Sequence, residues 1–288
     1  MTDEAPSSGA VAPPAKTKPW SDIDLDRWRD YADVLTDSLW LFPSRASGDG
    51  HTLDYHGNFI PQVATQTFTR YTKTGEIVLD MFLGSGTSAI EALNLGRRCI
   101  GVELKPDLVE YVRHKLPPGS TASPDHPQAD VHLIVGDSTT QAAADAVRGA
   151  LAALGESHAH LLVLHPPYHD IIPFSDSPDD LSNAVDTETF LDCFEAVARH
   201  GYDLLAPGRF AVLVIGDKYA GGELIPLGFW CMERANRAGF KTKAIVVKNI
   251  EGNEQAKGRT NNLWRYRALA GGYYIFKHEY VIILRKPG

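Results

Sequence analysis

The tetrapeptide His165-Pro166-Pro167-Tyr168 holds three groups that could act together on one substrate. A neutral imidazole has one acceptor nitrogen. The carbonyl of Pro166 is a second acceptor, on a residue with no N–H to compete. Tyr168 offers a ring face for stacking. Two acceptors drawing on the two protons of an amino group favour a pyramidal nitrogen. They free a lone pair that an aromatic ring otherwise pulls in, so the amine becomes a nucleophile. An imidazolium would do the reverse, because both its nitrogens donate. With the ordinary histidine pKa of about 6.5, such chemistry is expected to fade as the pH falls and the ring charges.

A second constellation lies upstream. Asp80, Phe82, Gly84, Ser85, Gly86 and Thr87 follow an apolar run, and Glu103 comes about 20 residues later. Glycine is needed where backbone takes positive φ or lies against a ligand. A strand, a tight glycine turn and a helix N-terminus make a ligand-binding corner in an open α/β sheet. An acid at the tip of the next strand can accept hydrogen bonds from two ribose hydroxyls. The spacing is not the dinucleotide G-x-G-x-x-G, and no lysine is present to make a phosphate loop.

The elements that must position these groups alternate. Four apolar-rich residues within 76–80 read as a buried strand, and 87–95 as a helix. Strands are expected at 98–103, 131–135, 161–164 and 209–216, the last two buried on both faces. Helices are expected at 61–75, begun by Pro61, and at 106–116, 139–154, 187–205 and 226–239. Asp137 is placed to cap the helix at 139, Asp186 the one at 187. Residues 22–40 read as one or two short helices and 42–55 as loop. Segments 240–249 and 274–286 look like a final antiparallel pair, joined by a long polar loop.

Together the corner and Glu103 resemble the S-adenosylmethionine (SAM)-dependent methyltransferases. The phrase 79–87 is similar to the first motif of the DNA amino-methyltransferases, with Met81 where those enzymes usually carry proline. His-Pro-Pro-Tyr resembles their catalytic motif, in which Asp, Asn or Ser normally precedes Pro-Pro-Tyr/Phe. The run 169–176, the segment 263–268 and His278-Glu279-Tyr280 extend the likeness over most of 55–288. The resemblance implies a Rossmann-like fold with a mostly parallel seven-stranded sheet and an antiparallel C-terminal strand. It implies SAM as cofactor, held by Asp80, Phe82, Gly84, Ser85, Gly86, Thr87 and Glu103, with Asp137 near the adenine amine. The helix at 61–75 would cover the methionine end. The implied substrate is the exocyclic amine of adenine (N6) or cytosine (N4) in DNA, with the base flipped onto Tyr168. Asp at 165 would favour adenine and Ser cytosine; histidine decides neither. His169 and Asp170 are secondary candidates for steering the base or a proton. Rival readings are an RNA or protein amine methyltransferase, and a SAM- or DNA-binding regulator that has lost catalysis.

Composition bounds the partners. The chain has 288 residues, 43% of them apolar, enough for a full core. The net charge of −8 is uneven: the residues from 241 on hold ten Lys/Arg against three Asp/Glu, the rest 18 against 33. A basic end on an acidic body suits a polyanion, and Lys257, Arg259, Arg265 and Arg267 are the expected DNA contacts. Specificity is then expected from loops 170–185 and 250–270, the latter mobile and facing DNA. Residues 1–19 are expected to be a disordered tail ahead of one catalytic domain, 20–288. No apolar run is long enough for a membrane span. The three cysteines have no metal spacing and fit a reducing cytoplasm. A monomer or homodimer is expected.

Overall fold

The computed structural model describes residues 17–48, 51, 57–123, 130–250 and 261–288, and for 261–264 the backbone. The elements are, in order, β1 (Leu39–Trp40), α1 (Pro61–Tyr71), β2 (Ile77–Asp80), α2 (Thr87–Asn94), β3 (Arg98–Glu103), α3 (Pro106–Lys115), β4 (Val131–Val135), α4 (Gln141–Ala153) and β5 (Ala159–Leu164). Then follow α5 (Thr187–Leu204), β6 (Leu205–Ile215), β7 (Lys218–Ala220), β8 (Glu223–Ile225), α6 (Leu227–Arg237), β9 (Lys241–Asn249), α7 (Asn261–Gly271) and β10 (His278–Arg285).

The sheet order is β1-β9-β10-β6-β5-β2-β3-β4, with β7 and β8 paired apart from it. Strands β2 to β6 run parallel, and β10 lies antiparallel between β6 and β9. From β2 the chain builds outward through β3 and β4, then returns to add β5 on the other side. Beyond the C-terminal ends of β2 and β5, where the strand order reverses, is the place at which open α/β sheets generally bind ligands.

Local chemistry explains the elements. All four residues of β2 are buried, as a central strand covered on both faces requires. Pro61 starts α1, and Val63, Thr67 and Phe68 bury one face. Asp186 caps α5 by accepting from the Thr189 N–H at 2.8 Å. One core layer gathers Phe190, Phe194 and Phe240 under α4, α5 and α6; the other gathers Ile60, Phe68 and Val112 under α1, α2 and α3.

Several expectations need correction. The sheet has an eighth strand, β1, because residues 39–40 pair with β9 at the edge. Of the one or two short helices expected over 22–40, residues 25–31 form one, of the 3-10 kind, with Asp24 accepting from the Asp26 N–H. Thr140, not Asp137, caps α4. Strand β6 begins at Leu205, because Leu205 pairs with Ala159 and the register then shifts, with Gly208 at φ 77° between the two parts. The expected polar connection 250–270 contains the helix α7. Of the expected N-terminal tail, residues 1–16 lie outside the described residues.

Candidate functional site

The corner after β2 is built from the backbone outward. Gly84 and Gly86 stand at φ 55° and 88°, and Gly86 is the residue from which α2 starts. A Cβ on Gly86 would lie 2.7 Å from a methyl of Val112. Gly86→Ala therefore meets both a conformational and a steric penalty. We expect a loss of about 1–3 kcal/mol, read as a lower urea midpoint at unchanged slope.

Asp80 lies beneath this turn rather than in front of it. One oxygen accepts from the Phe82 N–H at 2.9 Å and the other from the Ser88 hydroxyl at 2.5 Å. Burial pushes its carboxyl up to about 6, against the pull of these two donors. Phe82 packs on the core beside the turn, and Thr87 and Ser85 are buried, Ser85 receiving a hydrogen bond from Asn58. Glu103, at the tip of β3, accepts from the Gly84 N–H and the Lys105 N–H, each at 3.0 Å. Burial raises its carboxyl as well. A carboxylate has about four lone-pair sites, so Glu103 keeps capacity for hydroxyl donors beyond these two bonds. Asp137, past the end of β4, accepts from the Thr139 N–H and hydroxyl at 2.9 and 2.7 Å. Asp80 and Glu103 thus end β2 and β3, and Asp137 lies just past the end of the adjacent β4.

At the tip of β5 stands His165. Its ring lies edge-on between Phe59 and Tyr168, with centroids 5.2 and 5.9 Å away. Among the described residues neither ring nitrogen has a hydrogen-bond partner. Burial pushes its pKa down to about 4, helped by the charges of Lys248 and Arg45 and opposed by Glu279. The ring is therefore neutral near pH 7 and keeps a free acceptor. The sequence-based expectation of protonation near 6.5 is corrected by this burial.

Tyr168 is not a free platform. Its hydroxyl donates to Glu279 Oε2 at 2.6 Å, and Lys248 Nζ donates to Glu279 Oε1 at 2.7 Å. Lys248 and Glu279 are 0% and 2% exposed. Burial alone would raise the Glu279 carboxyl, but the Lys248 ammonium holds it below the usual range. Neither residue was singled out as a site residue from the sequence. The available signal was that Glu279 is the sole acid after residue 254.

His169 and Asp170 turn away from the base-steering role. His169 stands at φ 52° with its ring buried against Phe190. Its Nε2 donates to the Ala184 carbonyl at 3.0 Å, and its Nδ1 accepts from Lys218 at 2.6 Å. Asp170 pairs with the same lysine, whose hydrogen bond holds its carboxyl below the usual range.

The connection between β9 and β10 emerges at this same end of the sheet, since Tyr280 of β10 pairs with Ile215 at the end of β6. Arg265 and Arg267 are exposed on α7, while Lys257 and Arg259 lie outside the described residues. Tyr219 of the β7–β8 hairpin stacks on Phe276 at 5.0 Å and meets Tyr273 at 5.1 Å. Tyr266 and Tyr274 stand exposed nearby in sequence. No helix among the described residues is long and apolar enough to cross a membrane, and these residues hold no group of acids, histidines and cysteines fit for a metal.

The sheet order, with the glycine corner after β2 and the acid at the tip of β3, defines a Rossmann-like α/β fold. Residues 13–114 match the family model described as DNA methylase (N6_N4_Mtase). A 52-residue stretch is 36% identical to the type II methyltransferase M.MjaII of Methanocaldococcus jannaschii, covering 18% of this chain and 10% of that protein. Another, of 89 residues, is 31% identical to the type II methyltransferase M.BglI of Bacillus subtilis, covering 31% and 23%. The chain thus spans less than a quarter of the length of either relative. The solved structure of TrmN from Thermus thermophilus is similar at a TM-score of 0.48 and 16% identity, over 79% of this chain and 49% of that one. The family and relative matches support the DNA amino-methyltransferase family and, with it, SAM as the cofactor.

Proposed function

We propose that this protein transfers a methyl group from SAM to the exocyclic amine of adenine (N6) or cytosine (N4) in DNA. The observation that carries the reading is His165: a neutral imidazole with an unclaimed nitrogen, at the strand tip beside the cofactor corner. SAM supplies an electrophilic methyl group on a sulfonium. Gly84, Ser85, Gly86 and Thr87 would let its bound form approach the backbone, with Phe82 packed alongside. Glu103 would accept from the ribose hydroxyls and Asp137 from the adenine amine. Asp80 would act one step back, by holding the turn.

The chain's own part in the reaction is proton handling and orientation. The free nitrogen of His165 accepts one amine proton and the Pro166 carbonyl the other. The lone pair so exposed would take the methyl group that SAM supplies, and the imidazole would take the surplus proton. Pro167 fixes the backbone between the acceptors and Tyr168, whose ring stacks the flipped base. Arg265 and Arg267, together with Lys257 and Arg259, would neutralise backbone phosphates. Arg265→Ala is then expected to flatten the slope of log K against log salt by about one unit, measured by fluorescence anisotropy on duplex DNA.

The direct test is methyl incorporation from labelled SAM into unmethylated DNA, followed by nucleoside analysis. N6-methyladenine or N4-methylcytosine is the expected product, and the same assay tells which. Labelled RNA or protein in place of DNA, or no product with any DNA, overturns the reading.

A further inference from the structure

We propose that the buried Lys248–Glu279 pair is the positioning device of the catalytic motif, acting through the Tyr168 hydroxyl. Its catalytic consequence rests on the methyl-transfer reading above; its structural half does not.

The two residues face each other across β9 and β10 in direct register. Both are closed off from water, on strands whose buried neighbours include Val246, Val281 and Ile283. An apolar pair of the same volume would fill this space at little or no cost, because a buried ion pair seldom repays the desolvation of its two charges. An apolar pair could not, however, accept from Tyr168. Glu279 spends one oxygen on Lys248 and the other on the Tyr168 hydroxyl, so the lysine orients the carboxylate that holds the tyrosine. Backbone meets the ring edge as well: a Cβ on Gly216 would lie 3.0 Å from the Tyr168 ring and 3.7 Å from the Glu279 Cβ. Tyr168 is thereby gripped at its tip and along its side. His165 in turn leans edge-on against that ring. One chain of contacts therefore runs from the sheet core to the group that accepts the amine proton.

This arrangement bears on the motif's departure from its relatives. With histidine in the first position, no carboxylate stands at the strand tip itself. The Glu279 charge opposes the downward push on the imidazole pKa and so favours proton uptake by His165 after methyl transfer. Glu279 is a positioning residue, since it touches Tyr168 rather than the substrate.

The test compares two double variants that both remove the charges. K248M/E279Q keeps an acceptor for Tyr168, while K248M/E279L removes it. With a fluorinated tyrosine at position 168, fluorine NMR is expected to show one ordered ring in the wild type and in K248M/E279Q. In K248M/E279L the signal is expected to broaden or divide as the ring turns. In methyl transfer, K248M/E279L is expected to turn over about 10- to 100-fold more slowly than K248M/E279Q, the scale of one hydrogen bond to a positioned group. Tyr168→Phe should match the slower variant, with SAM affinity unmoved in all three. Equal ring order in the two double variants overturns the proposal whatever the substrate proves to be. Equal turnover despite unequal order confines the pair to the structural half and overturns its catalytic one. Absence of methyl transfer by the wild type strikes the reading of the reaction, and the NMR comparison still decides the anchor.

Discussion

Replacing His165 with alanine is expected to lower methyl transfer to DNA by about 10²–10⁴-fold, the usual worth of a positioned proton acceptor. SAM affinity should stay near the wild-type value, because in the proposed reaction the imidazole works on the amine rather than on the cofactor. The loss should fall on kcat and kcat/KM together, as for an interaction made in the transition state. The pH profile supplies a second check. The active form is the neutral ring, and burial holds its pKa to about 4. Activity governed by this group is then full above that value and is lost as the pH falls through it. Between pH 6 and 8 the profile should be flat with respect to His165. A single-turnover limb near pH 6.5 would mean that another group controls the rate, and a wild-type rate in the alanine variant would leave the Pro166 carbonyl as the sole acceptor.

Lys248→Met is expected to cost about 3–5 kcal/mol of stability, since it strands the Glu279 carboxylate in the core with only the tyrosine hydroxyl. Urea unfolding at pH 8 should show a lower midpoint at similar slope. K248M/E279L should recover most of that loss, because no uncompensated charge remains. The sign with pH follows from Glu279, whose folded pKa lies below the ordinary one. The pair's contribution is present in full at neutral pH and drains away as the pH falls below the unfolded value and through the folded one. If the single and double variants unfold alike, the pair is not coupled and the burial argument fails.

The alternation of strands and helices was legible because buried parallel strands must be apolar throughout. Ile77 to Leu79 and Leu161 to Leu164 could be little else. Pro61, Gly86 and Asp186 marked helix starts by chemistry that does not depend on tertiary context. The first site motif was legible for the same reason, since its residues are adjacent in sequence. Strand β1 was hidden because two residues carry no period and gain their structure only from β9. The anchor of Tyr168 was hidden more deeply. Lys248 and Glu279 sit in alternating strands, where a charged residue ordinarily marks the solvent face. That both point inward becomes visible only when the two strands are paired and laid beside β6. His169 misled in the opposite direction: a histidine beside a catalytic motif suggests chemistry, yet both of its nitrogens are committed to the scaffold.

The cross-strand charge pair also carries information for folding. Strands β9 and β10 are separated by residues 250–277, far too long a connection for a tight turn to dictate how they align. A slip of β10 by one residue would send Glu279 to the opposite face from Lys248 and leave each without its counter-charge. The salt link thus acts as an address label for the last strand. The intervening segment, freed from that duty, can be lengthened or rewritten at modest entropic cost. Target preference could in this way diverge among descendants of the chain while the hydroxyl of Tyr168 still found its partner.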